Sequence, residues 1–84
     1  MDLEKQGVRL LELLKRTNHN QKIDLFNHNC SIIVLDLTSK EIIDTLLTQF
    51  EKNFRKIINC EIEQIYVEDG NLEIALKENF EREL

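Results

Sequence analysis

Asn18-His19-Asn20 and Asn27-His28-Asn29 repeat one tripeptide, and Cys30 follows the second copy at once. The repeats hold the chain's two histidines, and Cys60 is its only other cysteine. Imidazole and thiolate are good zinc ligands, and a structural zinc site takes four of them. His19, His28, Cys30 and Cys60 therefore form the candidate metal set. Their spacing argues against it: the closest pair is His28-x-Cys30, with no C-x-x-C, H-x-x-x-H or H-E-x-x-H pattern. No metal or cofactor is expected. A small metal- or thiol-dependent protein built on His28, Cys30 and Cys60 is the alternative reading. Cys30 and Cys60 each open an expected strand. On adjacent parallel strands their Cα atoms would fall within the roughly 4.4–6.8 Å that a disulfide spans. Both tripeptides also have plain structural readings, since Asn tolerates the left-handed backbone of turns. The first copy follows Lys15-Arg16 and reads as a helix exit; the second reads as a hairpin loop.

Catalytic constellations are scarce. Gly7 and Gly70 are the only glycines, so no Gly-rich phosphate loop exists. Ser31 and Ser39 are the only serines, and neither lies in a G-x-S-x-G context. Asp36 stands at the end of an expected strand, where it reads as an exposed residue ahead of a helix. A non-enzymatic protein is expected.

The 84 residues suffice for one small domain, residues 1–84. No apolar run approaches the ~18 residues of a membrane-spanning helix. The first sixteen residues carry charges throughout, unlike a signal peptide. With so few cysteines, the expectation is a cytoplasmic protein without membrane contact. One Ala, two Gly and no Pro against ten Ile and eight Asn point to AT-rich coding, as in phages and mobile elements. The formal charge is −5, but residues 61–84 hold two basic against eight acidic residues. Nucleic-acid binders carry a basic patch, so direct nucleic-acid binding is not expected. Glu61, Glu63, Glu68, Asp69 and Glu73 instead form an acidic surface suited to steering a basic partner.

The elements that position these residues follow from periodicity. Residues 2–16 read as a helix whose Leu3, Val8, Leu10, Leu11, Leu13 and Leu14 spread over about 220°, against the ~100° stripe that one neighbour covers. Residues 22–26 alternate as a half-buried strand, and 30–37 contain the run Ile32–Leu35, apolar on both faces, which suggests a central strand. Thr38 and Glu41 form a capping box ahead of a helix over 39–58. Asp69-Gly70 signals a type I′ hairpin pairing Val67 with Leu72 and Ile65 with Ile74, with a bulge near Glu63-Gln64. Phe80 and Leu84 allow a last helical turn.

The fold class expected is α+β, an α/β two-layer domain of order α-β-β-α-β-β, with a four-stranded mixed sheet and both helices on one face. The helix, hairpin, helix, hairpin order resembles the front of roadblock-type dimerising domains. The stretch 30–77 is similar in element order to the core of the bacterial SepF-type division protein. Neither likeness carries a site residue over. The surplus apolar arc of the opening helix (Leu3, Leu10, Leu11, Leu13 and Leu14) is the expected interaction surface. The functional expectation is a small interaction module, a homodimeric regulator or inhibitor.

Overall fold

The computed structural model describes residues 7–83, and its sheet grows outward from the Asp69-Gly70 turn. Both turn residues have positive φ, 52° and 82°, as a type I′ turn requires. That turn joins β3 (Ile62–Glu68) to β4 (Asn71–Leu76) in the expected register, Val67 opposite Leu72 and Ile65 opposite Ile74. A register shift between Ile62 and Gln64 supplies the expected bulge. The second hairpin pairs β1 (Ile23–Phe26) with β2 (Ile32–Leu37) through the Asn27–Cys30 turn. Cys30 itself takes the left-handed backbone there, at φ 70°.

The two hairpins meet along their inner strands. β1 runs parallel to β4, from Ile23 opposite Leu72 to Phe26 opposite Ala75, and the sheet order is β2-β1-β4-β3. The result is an α+β fold with a four-stranded mixed sheet. This order corrects one expectation: the 30–37 strand is not central but lies at the edge. It does not neighbour the strand that follows Cys60, so the condition for bringing Cys30 close to Cys60 is not met. Its two-sided apolar run looked like interior sequence, yet Ile32 and Leu35 are about half exposed.

Three α-helices complete the described fold: α1 (Leu10–Arg16), α2 (Ser39–Gln49) and α3 (Phe54–Ile58). Thr38 and Glu41 cap α2 as expected: the Glu41 N–H donates to Thr38 Oγ1 and the Thr38 N–H to Glu41 Oε1, at 3.4 and 2.9 Å. The expected single helix over 39–58 is broken after Gln49 by a 3₁₀ turn, Glu51–Asn53. The chain's own tail occupies the break. The Glu83 N–H donates to the Gln49 carbonyl at 2.8 Å, and the Lys52 N–H to the Glu83 carboxylate at 2.7 Å. Backbone groups that a continuous helix would pair internally are satisfied this way. Phe50 turns into the core at the break, with the Arg82 guanidinium 5.4 Å from its ring centre.

The opening helix is also shorter than expected. Gly7 has φ +59° and Arg9 is extended: the Ile62 N–H donates to the Val8 carbonyl at 2.9 Å and the Leu10 N–H to the Cys60 carbonyl at 3.0 Å. The earlier part of the 2–16 expectation lies outside the described residues. The tail has no helical turn over 77–83, although Phe80 is buried. Leu10, Leu14, Ile42, Leu46, Phe50 and Ile57 of the helical segments share one core with Ile23, Leu25, Ile33, Ile74 and Leu76 of the strands. No helix among the described residues is long and apolar enough to cross a membrane.

Candidate functional site

Strand alternation sends Leu25 and Ile74 into the core and their neighbours Asp24, Phe26, Glu73 and Ala75 to the opposite side of the sheet. Cross-strand partners share a face, so two rows can be followed across that side. Ile32, Phe26, Ala75 and Gln64 form one; Asp24, Glu73 and Tyr66 form the other. Leu35, next to the core residue Val34, points the same way. Ile32, Leu35 and Tyr66 are 54%, 48% and 50% exposed. A shallow cavity of about 130 Å³, lined by Phe26, Cys30, Gln64, Tyr66 and Ala75, lies on this side.

At the centre of this open face two acids are direct neighbours, since Asp24 and Glu73 are register partners in the parallel β1–β4 pair. Asp24 is tied down by its surroundings. Its Oδ1 accepts the Asp36 N–H at 2.7 Å and the Asn71 amide at 3.2 Å. The same Asn71 amide donates to Asp36 Oδ1 at 3.1 Å, and Asp36 is held at φ 58°. Burial works to raise the Asp24 carboxyl, but hydrogen bonds from Glu73, the Asp36 backbone and Asn71 outweigh it and hold Asp24 below its ordinary value.

Glu73 moves the other way. It is only 6% exposed, and its Oε2 is buried without a hydrogen-bond partner among the described residues. Its hydrogen bond to Asp24, then burial, then the negative charges of Asp24, Glu68 and Asp69 push its carboxyl up to about 7. The physical picture is one proton shared by two carboxyls: Asp24 carries the charge and Glu73 keeps the proton.

The residues singled out from sequence are distributed as follows. His28 is exposed, with Nδ1 2.8 Å from Glu63 Oε2; Cys30 is exposed on the same loop, and His19 is exposed after α1. Cys60 is buried, and its Sγ approaches the Glu61 carbonyl at 3.4 Å. Burial raises its thiol above the ordinary value, and the nearby Glu78 carboxylate adds to that. Among the described residues no three or more His, Cys, Asp or Glu are placed to hold a metal ion. Leu10 and Leu14 of the expected interaction surface lie in the core, Leu11 and Leu13 are partly buried, and Leu3 lies outside the described residues. Of the acidic set, Glu63, Glu68 and Asp69 are exposed, Glu61 pairs with Lys77 at 3.2 Å, and Glu73 is buried against Asp24.

The Asp24–Glu73 pair is the feature that sequence reasoning missed. Each residue occupies the polar phase of an alternating strand, "KIDLF" and "NLEIAL", which was visible. Their meeting depends on the parallel β1–β4 pairing, which joins strands from opposite ends of the chain. No protein family, no curated protein and no solved structure matches this chain.

Proposed function

We propose that this protein is a small non-enzymatic interaction module that docks another protein on the open face of its sheet, as a regulator or inhibitor of that partner. The observation that carries this reading is β2. An edge strand is normally made safe with charge or with polar side chains on its exposed face. Here Ile32 and Leu35 stand about half exposed, Ile32 opposite Phe26, and Phe26 in turn lines the shallow cavity with Tyr66 of β3. Contiguous apolar surface of that kind marks interaction sites on soluble proteins.

Charge selects the occupant. Two copies of the chain meeting face to face would press the Asp24–Glu73 pairs together, and uncompensated buried charge is costly. A partner bringing positive charge meets no such penalty, and the exposed Glu63, Glu68 and Asp69 would speed its approach. The two-fold homodimer expected from the opening helix is therefore the less favoured form of the same function.

The test combines solution mass with partner capture from the native host. Leu35→Lys and Tyr66→Lys, both folded, should lose a partner that the unaltered protein retains, while Leu11→Ala keeps it. A monomer whose captured proteins are indifferent to both open-face variants would overturn the reading. A dimer dissolved by the same two variants would assign the face to a second copy instead.

A further inference from the structure

The acid pair sits where a docked chain would have to cover it. Three ion pairs form among the described residues, Lys22–Glu41, His28–Glu63 and Lys77–Glu61, and none includes Asp24 or Glu73. Glu73 is more than nine-tenths buried, and its Oε2 has no hydrogen-bond partner among the described residues. The groups that face it from neighbouring strands are all acidic or neutral: Asp24 on β1, Asp36 beyond it on β2, and Tyr66, Glu68 and Asp69 on β3 and its turn. A buried carboxyl in a negative field holds a proton, and one other positive charge could take that proton's place.

From this arrangement we infer that Asp24 and Glu73 form a recognition point for a guanidinium group on the docked protein, an arginine side chain flanked by apolar residues. Three features select that chemistry. No cluster of the described residues converges on a metal-sized point, whereas a planar guanidinium spreads its donors over two neighbouring carboxylates. An NH₂ group already bridges carboxylates on this face, since the Asn71 amide reaches Asp24 Oδ1 and Asp36 Oδ1 at 3.2 and 3.1 Å. The half-exposed Tyr66, cross-strand partner of Glu73, places an aromatic ring beside the point, where a guanidinium gains further. Ile32, Leu35 and Phe26 then receive the apolar flanks.

Binding exchanges one cation for another. The guanidinium enters, the proton shared by the pair leaves to solvent, and Glu73 becomes a carboxylate. This inference rests on the open face being the docking surface, but it has its own readout. The probe is the blocked tripeptide acetyl-Leu-Arg-Leu-amide, with its neutral citrulline isostere as control. It is titrated into the isotope-labelled full chain while the Asp24, Tyr66 and Glu73 amides are followed. Affinity for the arginine peptide should rise by up to about tenfold per pH unit until about pH 7 and then level off, because below that point a proton must be displaced. The citrulline peptide should bind more weakly, with no such slope. Glu73→Gln, whose amide can still donate to Asp24, should keep the fold and abolish the slope. Equal binding of the two peptides, a flat pH profile or no binding at all would overturn the inference. Partner capture that depends on Leu35 and Tyr66 would survive that outcome, so failure of the inference and failure of the docking reading can be told apart.

Discussion

Glu73 joins stability to pH through its buried place beside Asp24. Its carboxyl titrates near 7 in the folded protein because protonated Glu73 can donate to Asp24, whereas its ordinary value is 4.5. Between those two values the folded state holds a proton that the unfolded chain has released. Stability is therefore greatest below about pH 4.5, as far as this group is concerned, and declines as pH rises towards 7. Above 7 the loss is complete. Its size is on the order of 2 kcal/mol, since each tenfold gain in proton affinity on folding is worth about 1.4 kcal/mol and the pair shares its proton. Glu73→Gln should remove this decline and be the more stable protein at mildly alkaline pH. Urea midpoints followed across the pH range check it; parallel curves for the two proteins would mean that Glu73 is ionised throughout.

Among the elements, the tail does more than its sequence announced. Residues 77–83 form no helix or strand, yet they hydrogen-bond back onto α2, the 3₁₀ turn and β2. Asn27, buried at the end of β1, receives them with both ends of its side-chain amide: Oδ1 accepts the Phe80 N–H at 2.8 Å and Nδ2 donates to the Phe80 carbonyl at 2.9 Å. The pattern copies a strand pair with one side chain. The first residue of the second Asn-His-Asn is thus an anchor for the C-terminus. Asn27→Ala strands a buried N–H and a buried carbonyl and should cost about 2–3 kcal/mol. Denaturant unfolding measures the cost, and accelerated exchange of the Phe80 amide would localise it. The type I′ turn, its register, its bulge and the α2 capping box were legible because each is written in contiguous residues. The break at Phe50 was not, because the apolar period runs on through Phe54 and Ile57. Only the tail's return to Gln49 and Lys52 makes the interruption cheap.

At the scale of the whole molecule, the same locality explains what was and was not visible of the candidate site. Each hairpin could be read alone, but the join between them pairs residues such as Ile23 and Leu72, far apart in the chain. No local signal specifies that join, and Asp24 meets Glu73 only through it. The order β2-β1-β4-β3 also makes the connection between the hairpins cross the full width of the sheet, about 14 Å at ordinary strand spacing. The broken helical segment 39–58 serves that crossing, and burying its apolar side on both hairpins locks them into one cooperative unit. Amide exchange can test this. β1 and β4 are bonded on both sides, so the amides of Leu25 and Ile74 should open only with global unfolding and exchange slowest. Amides on the outer edge of β2 should exchange by local fraying, well before them. If the Ile62–Leu76 hairpin instead protected its amides after β1 had exchanged, the hairpins would be separate units. The parallel seam would then be too weak to hold two carboxyls against each other, and the acid pair on the open face would lose its physical basis.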